Sequence, residues 1–158
     1  MSALLANGAD LSARDRDSRT PLHLCCQATW LSDNLSVQVA RPFIEYQPSS
    51  VNDAMEHTLY TPLQFAVEAK KPHLCQFFLE NGADVNACAA NGSTTLQECA
   101  WVAGEKGNGR RDSRYKDEEE TLELAKVLLK YYHLHCCWHP HPFGTLVFYY
   151  PPLNYTQH

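Results

Sequence analysis

One phrase, repeated at a fixed interval, constrains this chain more than any bulk property. Thr61-Pro62-Leu63-Gln64-Phe65-Ala66 returns as Thr94-Thr95-Leu96-Gln97-Glu98-Cys99, and the step from Thr61 to Thr94 defines one period. Upstream, Thr20-Pro21-Leu22-His23-Leu24-Cys25 precedes Thr61 by one period plus eight. A second phrase keeps the same count. Leu5-Ala6-Asn7-Gly8-Ala9-Asp10-Leu11 and Leu79-Glu80-Asn81-Gly82-Ala83-Asp84-Val85 separate their glycines by the sum of those two intervals. Self-similarity at such a period marks stacked units that bury their apolar faces only against one another.

Each phrase has a local reason. A threonine at the helix N-cap accepts a hydrogen bond from a backbone N–H that the helix leaves unpaired. Proline at the next position loses nothing by lacking its own N–H, and its φ is already helical. Gly8 and Gly82 fall where a second helix must stop in the left-handed conformation. The pattern predicts a first helix over 62–70 and a second over 72–81, the latter with Leu74, Phe77, Phe78 and Leu79 at helical spacing. Segments 11–19, 52–60 and 86–93 are left as fingers projecting between units.

A period of about 33 residues carrying T-P-L-H-x-A resembles the ankyrin repeat. The resemblance covers roughly residues 4–132 and implies an all-α solenoid of helix-turn-helix units with finger loops. It implies a repeat domain over 1–132, with a partial repeat at 1–19, repeats at about 20–53, 61–93 and 94–132, and an insertion at 104–117, followed by an irregular tail at 133–158. In that family the histidine of T-P-L-H is structural. Gln64 and Gln97 take its place in the other units, a swap open to a hydrogen-bonding strut and closed to a catalytic base.

The departures carry expectations of their own. About six residues are added between Thr20 and the pair Phe43-Ile44, and Pro42 falls inside the second helix there, where it costs about 3 kcal/mol if the helix continues. A kinked or shortened helix is expected. The glycine phrase of that unit is replaced by Gln47-Pro48-Ser49-Ser50-Val51-Asn52. In the third unit the second helix is expected over 118–132, with Asp117 and Glu120 as a capping box and Leu122, Ala125, Leu128, Leu129 and Tyr132 as its buried face. Both ends lack an evident polar cap, so marginal stability is expected of the chain alone.

Several residues invite chemical readings. His133, His135, Cys136, Cys137, His139 and His141 are good ligands for zinc or copper. Structural zinc sites, however, pair closely spaced ligands with a second pair from a distant segment, and here six crowd into nine residues beside two prolines. They remain weak metal candidates, and no cofactor is expected. Cys25, Cys75 and Cys99 fall on helix faces, where a thiol behaves as a small apolar residue; Cys88 lies in a finger. Arg110-Arg111-Asp112-Ser113 resembles a basophilic kinase site, so Ser113 is a phosphorylation candidate. No phosphate-binding glycine loop, serine elbow or paired-carboxylate arrangement appears, and the chain is read as a non-enzyme.

Charge and composition narrow the partners. With 13 basic and 18 acidic residues in 158, nothing favours nucleic acid. No run approaches the roughly 20 apolar residues of a membrane span. Seven scattered cysteines without a secretory leader fit a reducing cytoplasmic or nuclear setting. The expectation is therefore a scaffold or adaptor that binds another protein, with no small-molecule substrate and no membrane. The residues expected at that contact are Arg14, Asp15, Arg16, Asp17 and Arg19 in the first finger, Met55, His57 and Tyr60 in the second, then Glu68, Lys70 and Lys71, with Trp30 and Trp101 near first-helix ends. Charge reversal of Arg14, Arg16 and Arg19 together is expected to abolish the contact. Competing readings are a fragment of a larger ankyrin protein without independent function, a substrate-recruiting ubiquitin-ligase adaptor, and a metal-binding protein using the His/Cys tail.

Overall fold

A computed structural model of the protein describes residues 7–104 and 114–135, and everything below concerns those residues. Helices come in pairs: α1 (Pro21–Gln27) with α2 (Asp33–Tyr46), α3 (Pro62–Glu68) with α4 (Pro72–Glu80), and α5 (Thr95–Gly104) with α6 (Arg114–His135). The first helices α1, α3 and α5 pack in sequence as one layer, and α2, α4 and α6 as the other. This is the all-α solenoid the period predicts. No strand forms among the described residues, and a single antiparallel bridge, Cys88 with Thr94, closes the third finger.

The repeat phrase works as a hydrogen-bonding device. Thr61 N–H donates to Gln64 Oε1 at 3.0 Å, and Thr94 N–H to Gln97 Oε1 at 2.8 Å. Thr20 N–H donates to His23 Nδ1 at 3.1 Å, so that nitrogen is the acceptor and Nε2 carries the proton. The far end of the same side chain reaches the next unit. His23 Nε2 meets the Tyr60 carbonyl at 3.3 Å, and Gln64 Nε2 donates to the Ala87 carbonyl at 3.4 Å. The strut reading of this position is what the geometry contains.

Between the layers, Leu22, Cys26, Leu63, Ala66, Leu74, Cys75 and Phe78 are buried at 1% exposure or less, which makes the inter-unit seams dry. Leu11, Val51 and Val85, each where a finger begins, join the same core. Cys75 and Cys99 are buried as the small apolar residues expected, and burial pushes both thiols up.

Backbone conformation repeats with the sequence. The residue two before each threonine has a positive φ: Ser18 at 62°, Leu59 at 55° and Gly92 at 83°. Gly82 does the same where α4 ends, at 88°, and Gly8, at the same place in its phrase, at 77°. Only the third finger has glycine at its left-handed position; leucine there costs about 1–2 kcal/mol of backbone strain.

The expectation of a shortened α2 and the expected start and buried face of α6 need correction. α2 is neither shortened nor stopped by Pro42; it runs 14 residues, against nine for α4, and spends the extra residues on additional turns at its N-terminus, where Ser32 Oγ accepts from Leu35 N–H. The rung lost to Pro42 belongs to the carbonyl of Gln38, an exposed residue. α6 begins at Arg114, so Asp117 is helical rather than a cap; a capping-box spacing is equally compatible with a helix interior. Its buried stripe is Thr121, Leu124 and Leu128, while Leu122 and Leu129 are exposed by 57% and 45%. Leu128 is buried and Ala125 and Tyr132 are half-buried against the core, as expected; apolar residues cover more than half of this helix, so periodicity alone carries the stripe too far, to Leu122 and Leu129. Helix α3 ends at Glu68, close to the expected end near Lys70, which takes the left-handed conformation at φ 54°.

Candidate functional site

Fingers and first helices form one continuous side of the stack, and the fingers are tied to one another. Ser18 Oγ donates to Glu56 Oε2 at 3.3 Å, and Arg14 Nη1 donates to the carbonyls of Ser18 and Ala54 at 2.8 and 3.0 Å. Ala90 N–H donates to the Thr58 carbonyl at 2.8 Å, joining the second finger to the third. Within fingers, Asp15 Oδ1 accepts from Asp17 and Arg19 N–H, and Asn91 Oδ1 from Ser93 N–H, each at 2.9 Å. These backbone hydrogen bonds, with that of Arg19 strongest, hold the Asp15 carboxyl below its usual range. The side chains at the finger tips thus stand on a fixed frame.

The mixed-charge row of the first finger is mostly consumed by that frame. Arg19 pairs with Asp15 and Asp17, both at 2.8 Å, and donates to Gln27 Oε1 at 3.1 Å. Arg14 buckles the first finger to the second. Arg16 is exposed and has no such internal role among the described residues. Reversing Arg14, Arg16 and Arg19 together would therefore dismantle the finger, so that combination cannot report on a contact. Arg16 alone can.

Two residues expected on the surface are inside. Met55 is 7% exposed, with its sulfur beside Thr58 Oγ1 and its backbone closing the finger against the Tyr60 carbonyl. Lys71 is 4% exposed, and its ammonium donates to the carbonyls of Cys26 and Ala28 at 3.1 and 2.7 Å. It thereby answers the C-terminal carbonyls of α1, which the helix cannot pair itself. Burial pulls its pKa below the usual lysine value. Neither side chain is offered to a guest.

Tyr60 is half-buried, with its ring 5.5 Å from Phe65. Burial, with the Glu98 carboxylate nearby, pushes the phenol well above its ordinary range. Glu98, buried itself, accepts from Ser93 Oγ. His57 and Glu68 are exposed, Lys70 is half-buried, and Trp30 and Trp101 are 82% and 65% exposed. The structure adds Leu24 and Leu59, exposed by 44% and 45%, which no sequence pattern singles out. Leu24 stands at the phrase position of Phe65 and Glu98, both of them buried. Phe65 leans on the His23 ring of the preceding unit at 5.5 Å.

Ser113 and residues 136–141 lie outside the described residues, as do the side chains of His133 and His135. Among the described residues no group of three or more His, Cys, Asp or Glu is placed to hold a metal. No described helix is long and apolar enough to cross a membrane. A hollow of about 340 Å³ lies between α2 and α4, lined by Arg41, Ile44, Phe77 and Glu80, with the Arg41 guanidinium 5.1 Å from the Phe77 ring centre.

A family model described as ankyrin repeats, in three copies, matches residues 1–89. No curated protein matches the chain.

Proposed function

This chain belongs to the ankyrin-repeat family, whose repeats are protein–protein interaction modules, and from that premise we propose that it holds a partner protein on its finger and first-helix side. The observation that carries the reading is Trp101. It is a large aromatic, 65% exposed, on a first helix of a rigid stack, and tryptophan is among the residues most enriched where protein contacts concentrate their energy. Around it the reading assigns Glu68 on α3, with Arg16, His57 and Leu59 at finger tips. Arg16 and Glu68 steer the approach, because exposed charges act on association rate and orientation more than on affinity. Trp101 and Leu59 supply the apolar contact. Trp30, in the turn after α1, is a secondary contact, and Asp15, Asp17, Arg14, Arg19 and Tyr60 fix the geometry of the fingers.

The same set argues for binding over catalysis. The buried carboxylate, Glu98, is bonded to Ser93, and His23 spends both ring nitrogens on the frame. The test is a pull-down with Trp101→Ser and Arg16→Glu, two exposed positions where folding is not at stake. Each variant is expected to keep the parent unfolding temperature and lose at least tenfold of partner recovery. Full recovery with both changed would overturn the assignment.

A further inference from the structure

The outer side of α6 is finished differently from the rest of the second-helix layer. Thr121, Leu124 and Leu128 face the core, and Glu123 and Val127 line a groove with Pro72, His73 and Gln76 of α4. On a helical wheel, Leu122 and Leu129 fall about 100° or more away from the Glu123–Val127 edge, on the side turned away from the stack. They are exposed by 57% and 45%, while Ala125 and Tyr132, between and beyond them, are half-buried and also pack against the chain's own core. Leu122, Ala125, Leu129 and Tyr132 follow one another by three, four and three residues, the a/d spacing of a helix-pairing seam. The small Ala125 at its middle lets a second helix come close.

We propose that this seam pairs two copies of the chain, α6 against α6, antiparallel. Charge selects the second copy and the direction. Glu119 and Glu123 precede the centre of the seam, and Lys126 and Lys130 follow it. A two-fold axis at the centre sets Leu122 of each copy against Leu129 of the other. It also brings Glu119 within two residues' rise, about 3 Å, of Lys130 of the second copy. A parallel arrangement would set acid against acid and base against base. The surface is self-complementary, as an isologous dimer requires. It is also small beside the roughly 800 Å² per partner of a standard interface, so the pair is weak and concentration-dependent.

Sedimentation equilibrium of the 158-residue chain tests this, with circular dichroism to confirm unchanged helicity in each variant. The wild type is expected to shift from one chain toward two across the micromolar range, and less so at high salt. Leu122→Lys and Leu129→Glu, each alone, are expected to weaken pairing at least tenfold. Combined in one chain they meet each other across the axis, and pairing is expected to return. A wild type that stays single at several hundred micromolar overturns the proposal, including the case in which residues 136–158 occupy the seam instead. So does a double variant that pairs no better than the singles, because only the antiparallel register sets position 122 against position 129.

Discussion

His23 shows how one side chain can be both a cap and a coupling between units. Its Nδ1 accepts from Thr20 N–H while Nε2–H reaches the Tyr60 carbonyl, an arrangement that exists only for the neutral ring. Burial holds its pKa below the usual value of 6.5, with the Tyr60 carbonyl opposing that shift. The unfolded chain therefore takes up the proton first on acidification. Stability from this residue is complete above about pH 6.5 and is lost as pH falls through the lower folded value. Denaturant titrations of the wild type and His23→Gln across pH 5–8 should show it. The variant, which copies Gln64 and Gln97, is expected within about 1 kcal/mol of the wild type at pH 7.5 and with a smaller loss toward pH 5. Equal slopes would remove the neutral-ring coupling from the account. The sequence makes the strut legible, because glutamine alternates with histidine at one phrase position. It does not make Lys71 or Met55 legible: a lysine whose ammonium finds two helix-end carbonyls looks, in one dimension, like any surface lysine.

At the scale of elements, the least legible features are those in which one unit completes another. The N-terminus of α4 has no side-chain cap of its own from Lys71. Asp33, at the start of α2, supplies one: its carboxylate accepts from His73 N–H at 2.7 Å and Leu74 N–H at 2.9 Å, with His73 Nδ1 also at 2.7 Å. The favourable end of the α4 dipole adds to that contact. Lys71 performs the reciprocal service for the C-terminus of α1. Replacing it by methionine keeps the stem and deletes the ammonium, which leaves the Cys26 and Ala28 carbonyls buried without their donor. A loss of about 2 kcal/mol is expected for Lys71→Met by chemical denaturation, since bonds to charged groups are worth about 1.5–3 kcal/mol. An unchanged midpoint would mean that water replaces the ammonium at no cost. Helices themselves are readable where the repeat phrase sets them, as in α1, α3 and α4. α2 and α6 depart from their patterns for different reasons. Pro42 gives up a rung at the carbonyl of an exposed residue instead of ending α2, and the apolar residues of α6 spread over more than half its circumference, so that only packing against α4 and α5 sets the edges of the stripe.

Across the whole molecule, stacking turns local rules into a surface. The struts at His23 and Gln64 bind each unit to the next finger, and the fingers bind one another through Ser18, Arg14 and Ala90. This is foreseeable in outline, because a phrase returning at one fixed period implies units that need neighbours. The side chains left over for a guest are not, since each candidate in the first finger has to be weighed against structural uses that depend on distant partners, as Arg14 depends on Ala54. The account's central claim is that a protein guest sits against the fingers and first helices. A photo-crosslinking amino acid placed at Arg16, His57, Glu68 and Trp101 in turn, and at Arg41 and Gln76 on the second-helix side, tests it directly in cells. The account predicts one common adduct from the first four positions and none of that mass from the other two. The same adduct from Arg41 and Gln76, with none from Trp101 or Arg16, would contradict it.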